Sequence, residues 1–160
     1  MTANFFPSLQ TLVRLRLVGS CLGDNLFNEL QKLPNLAELA LIWALDTEEL
    51  NFQQDGFPNL KILDLDQLNS LVEMKVQRSL RNLCKLIIRN CSKLTSVPRG
   101  IEHLNELKEL HLFDMPESFL LKIQKGNEDY KSICRIKVIC YYKEGFPQVK
   151  TELYDAGSTR

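Results

Sequence analysis

Cysteines and histidines are the residues of this chain whose chemistry could bind a metal, form disulfides or attack a substrate. The 160-residue chain has two histidines and five cysteines, and the cysteines are Cys21, Cys84, Cys91, Cys134 and Cys140. No CxxC pair occurs, and neither His103 nor His111 has a cysteine partner at zinc-finger spacing. Neither histidine is placed by the sequence to act as a base for Cys84 or Cys91. We therefore predict no catalytic residue, no metal site and, because the cysteine number is odd, no secreted disulfide framework.

Phosphate, nucleic-acid and membrane chemistry are also not expected. The seven glycines never form GxxxxGK[ST], so no phosphate-binding loop or cofactor is predicted. Lys plus Arg and Asp plus Glu both number 20, and this balance is unlike the basic excess of a nucleic-acid surface. No run approaches the length of a membrane span, and the start "MTANFFPSLQ" lacks the features of a signal peptide. The unpaired cysteine count favours a reducing compartment, and we predict a cytoplasmic location.

The aliphatic residues show a strong internal repeat. A phrase with steps of three and two residues recurs every 23 to 26 residues along the chain. Its copies are Leu12-Leu15-Leu17, Leu36-Leu39-Leu41, Leu60-Leu63-Leu65, Leu83-Leu86-Ile88, Leu107-Leu110-Leu112 and Ile133-Ile136-Val138. Repeats at such a period indicate stacked units that cannot bury a core alone.

The step of two residues predicts that each copy is a β-strand with its leucines on one side. We predict strands near 12–17, 36–41, 60–65, 83–88, 107–112 and 133–138. Six amphipathic helices are the alternative, but prolines such as Pro34, Pro58 and Pro98 would break them. A second apolar pattern between the strands, for example Leu22, Leu26, Leu30 and Leu33, indicates short helices or turns behind the strands.

These elements predict an α/β solenoid of leucine-rich repeats, with about six repeats over residues 5–142. A curved parallel β-sheet would line its concave face, and short helices or turns would cover its convex face. The position that usually carries Asn or Cys holds Ser20, Ala44, Leu68, Cys91, Met115 and Tyr141. We therefore expect the polar ladder of regular repeats to be mostly absent and the buried turn amides to use other partners. Residues 143–160 carry no repeat and are predicted to be a disordered tail.

Several segments resemble one group of plant proteins. They are "LVRLRLVGSCL", "LPNLAELAL", "FPNLKILDLDQLNSL", "LCKLIIRNCSKLTSVPRGIEHLNELKELHL" and "NEDYKSICRIKV". In this order they resemble the C-terminal leucine-rich-repeat domain of plant disease-resistance receptors of the coiled-coil nucleotide-binding type. The resemblance covers nearly the whole chain. The first strand has no polar cap before it, and we interpret the chain as a C-terminal fragment, or a truncated relative, of such a receptor.

The outward residues of the strands are the candidate binding surface, because solenoids commonly bind partners on the concave face. The first strand is basic, the third acidic and the fourth basic again, while Trp43 and Phe113 are large apolar residues typical of interfaces. The predicted protein-binding residues are Arg14, Arg16, Glu38, Trp43, Asp64, Asp66, Lys85, Arg89, Glu109, His111, Phe113, Arg135 and Lys137. The alternative is a solvated face whose neighbouring opposite charges pair for little energy.

The resemblance implies a protein-interaction module of an intracellular immune receptor. Its partners would be a pathogen effector or a guarded host protein, and the nucleotide-binding domain of the same receptor, whose switch it would restrain. The alternative is a free-standing repeat scaffold or decoy without a nucleotide switch. A third hypothesis, a repeat domain that recruits substrates to a fused ubiquitin ligase, needs a domain that these residues do not contain. An enzyme is not predicted.

Overall fold

The computed structural model describes residues 6–141 and 152–154 of the chain. The β-strands are β1 (Arg14–Val18), β2 (Glu38–Ile42), β3 (Glu49–Asn51), β4 (Ile62–Asp66), β5 (Glu73–Lys75), β6 (Lys85–Arg89), β7 (Glu109–Phe113), β8 (Lys137–Tyr141) and β9 (Glu152–Tyr154). The helices are α1 (Asp24–Leu30), α2 (Glu117–Lys122) and α3 (Tyr130–Ile133), with short 3-10 helices at Phe6–Leu9 and Ile101–His103.

One sheet in the described residues contains seven strands in the order β1-β2-β4-β6-β7-β8-β9. The first six are parallel and follow the chain order, and β9 pairs antiparallel to β8. The repeated phrase sets the register, since Leu15 lies opposite Leu39 and Leu39 lies opposite Leu63. A mostly parallel sheet with few helices is the coarse architecture that the sequence predicted.

The inward leucines of the strands form the centre of the core. In β2, β4, β6 and β7 the burial alternates between buried and half-buried residues, as expected for strands with one face in the core. Leu63 and Leu65 are fully buried, whereas the equivalent Leu15 and Leu17 of β1 are only partly buried. The core is therefore less complete at β1 than in the middle of the sheet.

Each of the first five parallel strands is followed by a residue with left-handed backbone. These residues are Gly19, Trp43, Gln67, Asn90 and Asp114, with φ between 49° and 59°. The amide N–H of each donates to the carbonyl at the end of the next strand, at N–O distances between 2.8 and 3.0 Å. The turn amides thus find partners in the neighbouring strands. The turn N–H groups therefore use backbone carbonyls as partners instead of the side chains of a regular polar ladder, as expected.

A polar ladder does exist, but at another position of the repeat. Asn35 donates from Nδ2 to the Gln10 carbonyl at 2.7 Å, and Asn59 donates to the Pro34 carbonyl at 2.6 Å. Asn82 continues the series with the Pro58 carbonyl at 2.8 Å. Each asparagine directly precedes the first leucine of its phrase. These side chains link each unit to the preceding one.

The segments between the strands differ from one another more than the sequence predicted. Leu22, Leu30 and Leu33 are buried as expected, but Leu26 is exposed on α1 and Phe27 is buried instead. Two connections contain the short strands β3 and β5, which pair as a separate parallel sheet. Helices and turns alone were the expectation, so these strands are an addition to it.

The predicted sixth strand at 133–138 is wrong in position. Residues up to Ile133 belong to α3, and β8 starts at Lys137. In the register, Leu110 lies opposite Val138, 28 residues later, because the segment that contains α3 lengthens this unit. Ile133 and Ile136 are both buried, so their hydrophobicity fits the phrase although they precede the strand. The other strands also start two residues after the predicted position, because the first leucine of each phrase precedes the residues that pair with the neighbouring strand.

The predicted tail lies mostly outside the described residues. Residues 152–154 are the exception, because they form β9 beside β8 and are not a disordered tail. The predicted domain limits at residues 5 and 142 also lie outside the described ranges.

Candidate protein-binding face

The six parallel strands present their alternate residues on one side of the sheet, which we call the outer face. Strand pairing places these residues in three rows across the sheet. The first row is Arg14, Glu38, Ile62, Lys85, Glu109 and Lys137. The second row is Arg16, Ala40, Asp64, Ile87, His111 and Ile139. The third row is Val18, Ile42, Asp66, Arg89, Phe113 and Tyr141. In the first five strands, the predicted binding residues other than Trp43 all lie in these rows.

Two predicted positions change with the register of β8. Arg135 precedes the strand and does not belong to the outer face. Its Nη2 donates to the carbonyls of Glu102 at 3.0 Å and Leu104 at 2.9 Å, and so holds the turn after the 3-10 helix. Lys137 does lie on the outer face, but in the first row opposite Glu109. Tyr141, which the sequence analysis placed at a turn position, takes the third-row position opposite Phe113.

A stack of flat side chains covers the end of the outer face near β8. The guanidinium of Arg89 lies over the Phe113 ring, 4.1 Å from its centroid. Phe113 in turn stacks on Tyr141, with centroids 4.1 Å apart and an angle of 5° between the planes. Cation–π and stacked aromatic contacts of this kind each stabilise by about 0.5–1.5 kcal/mol. The sequence predicted Arg89 and Phe113 but missed Tyr141. The alternation of Val138 and Cys140 is the signal that could have found it.

His111 connects this stack to a charged group in the first row. Its Nε2 lies 2.9 Å from Oε2 of Glu109, and its Nδ1 lies 3.2 Å from the Tyr141 hydroxyl. Lys85 approaches the same carboxylate oxygen at 3.3 Å. The hydrogen bond from His111, followed by the one from Lys85, holds the pKa of Glu109 below its ordinary value, against the opposing effect of burial. The polar groups in this part of the face therefore satisfy one another.

The acidic residues of β4 are also paired on the outer face. Arg89 Nε lies 3.1 Å from Oδ1 of Asp64, and Asn90 donates to Oδ1 of Asp66 at 3.2 Å. Pairs this close to solvent contribute about 0–1 kcal/mol each. The acidic side chains in the middle of the sheet thus have partners within the face.

The end of the outer face near β1 is different. Arg14 pairs with Glu38 at 3.1 Å, but Arg16 has no ion pair or hydrogen bond within the described part of the chain. Trp43 and Val18 are large apolar side chains that are 65% and 59% exposed. Trp43 also has a left-handed backbone, with φ of 49°, which is unfavourable for a bulky residue. Exposure and strain coincide at this residue.

Metal-ligating side chains and thiols are the groups that the sequence analysis considered for chemistry. Among residues 6–141 and 152–154, no cluster of three or more His, Cys, Asp or Glu side chains could hold a metal ion. Burial raises the pKa of the Cys91 and Cys140 thiols to about 11, which keeps them protonated and poorly nucleophilic.

None of the helices that the structure describes is both long enough and apolar enough to cross a bilayer.

Disease resistance proteins of Arabidopsis thaliana are similar in sequence to this chain. Disease resistance protein RPM1 is 38% identical over 141 residues, which cover 87% of this chain and 15% of that protein. A probable disease resistance protein is 32% identical over 130 residues, or 80% of this chain and 15% of that protein. Probable disease resistance RPP8-like protein 4 is 30% identical over 127 residues, or 78% of this chain and 14% of that protein. No protein-family model matches the chain.

The chain spans about 15% of the length of these curated relatives. Over most of its own length, this chain is therefore a homologue of plant disease resistance proteins.

Proposed function

We propose that the chain is a leucine-rich-repeat solenoid of about six repeats that acts as a protein-interaction module in plant defence. Six parallel strands follow each other in chain order, and a 23- to 28-residue register relates their inward residues. Stacked units of this period are typical of solenoids, which bind partners on a concave sheet face. The outer face described above would be that concave face.

The observation that carries this proposal is the composition of the outer face. Phe113, Tyr141 and several arginines lie on this one side of the sheet, and the exposed Trp43 directly follows Ile42 of the third row. Aromatic residues and arginine are enriched at protein interfaces and supply most hot spots. The partner would be a pathogen effector or a guarded host protein. The outer face would also contact the nucleotide-binding domain of the same receptor and restrain its switch until recognition.

A cytoplasmic location and a non-enzymatic role belong to the same proposal. All five cysteines are free thiols, and two of them are buried in the core as small hydrophobic residues. Unpaired cysteines are typical of reducing compartments. The relatives are named for disease resistance and not for a catalysed reaction.

Charge reversal on the outer face tests the interaction proposal. Asp64→Lys with Asp66→Lys would be expressed in leaves within the native gene, and cell death would be measured as ion leakage. We expect lost recognition or cell death without a trigger. Glu102→Lys with Glu106→Lys is the matched control, since it makes the same charge change at exposed positions away from the strands. If this folded variant, the control and folded variants that replace Trp43 and Phe113 all signal like the native protein, the interaction proposal is wrong.

The size of the native protein separates a receptor from a free-standing scaffold or decoy. An antibody against residues 143–160 would detect the protein on an immunoblot of source tissue. A band far above 18.5 kDa is expected if the repeats belong to a receptor with an upstream switch. A band at that mass would contradict the receptor and favour a scaffold.

A further inference from the structure

A small part of the outer face differs from the rest because, within the described residues, its hydrogen-bond donors have no partners and its large apolar side chains are exposed. We call it the N-terminal patch and define it by Arg16, Val18, Ala40, Ile42 and Trp43. Arg16 lies opposite Ala40, Val18 lies opposite Ile42, and Trp43 follows Ile42 directly. Trp43 Cε3 lies 3.8 Å from the position of a Cβ on Gly19, so the indole leans toward β1. The patch is therefore continuous across β1 and β2.

Trp43 is a bulky residue with left-handed backbone whose side chain is exposed, whereas Phe57 and Leu80 share this conformation but are buried in the core. The equivalent positions after the neighbouring strands hold Gly19, Gln67, Asn90 and Asp114. Glycine and asparagine tolerate the left-handed region, whereas a bulky side chain is strained there. Strained residues that persist are concentrated at functional sites. An exposed tryptophan in this conformation is therefore a candidate binding anchor.

The polar groups of the patch are all donors. Arg16 offers five guanidinium N–H groups and Trp43 offers one indole N–H, and neither side chain has any acceptor. In the part of the chain that the structure describes, neither side chain has a hydrogen-bond or ion-pair partner. Carboxylates are the matching acceptors, because arginine binds them in a two-pronged geometry. Ala40, Ile42 and Val18 add an apolar shelf beside these donors, and the small side chain of Ala40 leaves room on it.

The charges around the patch limit what it can bind. Asp64 and Asp66 lie on β4, two strands from Arg16 and hence roughly 10 Å away. They also lie directly opposite Ala40 and Ile42, so they border the patch on its β4 side. A long polyanion such as a nucleic acid would be repelled by these carboxylates, and the carboxylates of a short segment would have to lie toward Arg16, on the β1 side. At the other end of the face, Arg89, Phe113 and Tyr141 already contact one another. Their side chains are therefore less available to a partner than those of the N-terminal patch.

We propose that the N-terminal patch binds a short segment of another protein that carries carboxylates next to a large apolar side chain. The carboxylates would pair with Arg16 and the indole N–H. The apolar side chain would lie on Ala40 and Ile42 and be covered by Trp43. This inference rests on the proposed function of the outer face in protein binding, and it adds the chemistry of the partner and the place where it binds.

The chain contains one tryptophan, so its intrinsic fluorescence reports on the patch without a label. The full chain would be titrated with a synthetic peptide that alternates Glu with Leu and Phe. One matched peptide has Lys in place of Glu, and another has Ser in place of Leu and Phe. We expect a saturable shift of Trp43 emission to shorter wavelength with the first peptide alone. Equal binding of the lysine peptide, or tighter binding of an oligonucleotide, would overturn the inference.

Charge reversal in the patch tests the role of Arg16. Arg16→Glu should weaken binding of the Glu-Leu-Phe peptide by at least about tenfold. Lys137→Glu is the matched control, because it makes the same charge change in β8, at the opposite end of the six parallel strands, and should change the affinity by less than about twofold. If Lys137→Glu weakens binding as much as Arg16→Glu, the binding is not local to the patch and the inference is wrong.

A second variant separates binding from folding. Trp43→Asn places a residue that tolerates the left-handed region at this position. Calorimetry should show an equal or higher melting temperature together with at least about tenfold weaker peptide binding. Unchanged peptide affinity in this folded variant would contradict the assignment of Trp43 as the anchor.

The same variants distinguish this inference from the proposed function. If defence signalling in leaves responds to reversal of Asp64 and Asp66 but not to Arg16→Glu or Trp43→Asn, the patch assignment fails and the outer face remains the interaction surface. If no outer-face variant changes signalling, both proposals fail.

Discussion

The two ends of the outer face have the same backbone arrangement, but their side chains differ in whether they contact one another. Near β8, Arg89, Phe113 and Tyr141 stack on one another, and His111 joins Tyr141 to Glu109. Near β1, aromatic and basic residues are also present, but Arg16 and Trp43 contact no polar partner within the described residues. Residue type alone therefore does not distinguish the ends. The difference lies in whether the side chains satisfy each other or remain available to another molecule.

On one surface, the side chains that stabilise the fold and those that are available for binding are therefore different residues. Groups that already stack and pair must give up those contacts before they bind anything else, whereas unpaired exposed groups lose only water and side-chain freedom. The end near β8 should therefore contribute mainly to the stability of the sheet. The end near β1 should contribute mainly to binding.

The largest expected effect concerns the core, which can be compared between the middle of the sheet and the end at β1. Leu63→Ala should lower the free energy of unfolding by about 2–5 kcal/mol, because Leu63 is fully buried. Leu15→Ala, at the equivalent position of β1, should cost about 1–2 kcal/mol, since Leu15 is only partly buried. Urea unfolding of both variants measures the difference. Equal losses would mean that the core is as complete at β1 as in the middle of the sheet.

The next prediction compares the two aromatic residues directly. Phe113→Ala should lower the free energy of unfolding by about 1–2 kcal/mol, because it removes the contacts with Arg89 and Tyr141. Trp43→Asn should cost less than about 0.5 kcal/mol or stabilise the fold, because it relieves the left-handed strain. Thermal and urea unfolding measure both effects. A larger loss for Trp43→Asn than for Phe113→Ala would reverse the comparison.

The pH dependence of stability should identify the charged group near β8. The pKa of Glu109 is lower in the folded chain than its ordinary value of 4.5, so the unfolded chain binds this proton more readily. The stabilisation is fully present above about pH 5 and is lost as the pH falls through 4.5 toward the lower pKa of the folded chain. Glu109→Gln should therefore flatten the fall in unfolding free energy over this range. An unchanged slope would show that the carboxylate does not contribute.

The smallest effects are expected for the ion pairs. Glu38→Gln should change the free energy of unfolding by less than about 0.5 kcal/mol, because its partner Arg14 is mostly exposed. Asp64→Asn should cost more, about 1 kcal/mol, because Asp64 positions the guanidinium that stacks on Phe113. Double-mutant cycles with Arg14→Gln and Arg89→Gln measure the two coupling energies. Similar couplings for both pairs would contradict this difference between the ends.

The sequence predicted the parallel strands and the rows of the outer face wherever the unit length stayed near 24 residues. Leucines at +3 and +2 fix which side of a strand faces the core, and a constant period fixes the register. In the last unit Ile133 and Ile136 fit the phrase equally well, but α3 occupies that segment and moves β8 along the chain. Hydrophobicity alone could not decide between the two registers, and the error excluded Tyr141 from the predicted face.

The contacts between side chains on the outer face were harder to predict from the sequence than the list of residues that lie on it. The sequence identified Arg89 and Phe113 as candidates, and it grouped them with Trp43 as equivalent anchors. Whether Arg89 stacks on Phe113 depends on side-chain conformations across three strands, which no local pattern encodes. The strain at Trp43 likewise appears only when its backbone angles are known.

Site-specific photo-crosslinking tests the contrast between the two ends most directly. Benzoylphenylalanine would replace Trp43 in one variant and Phe113 in another, and each protein would be irradiated in extract from source tissue. The account predicts protein adducts from position 43 that disappear when Arg16→Glu is added, and few or none from position 113. Adducts that form mainly from position 113, or that persist from position 43 with Arg16→Glu, would contradict it.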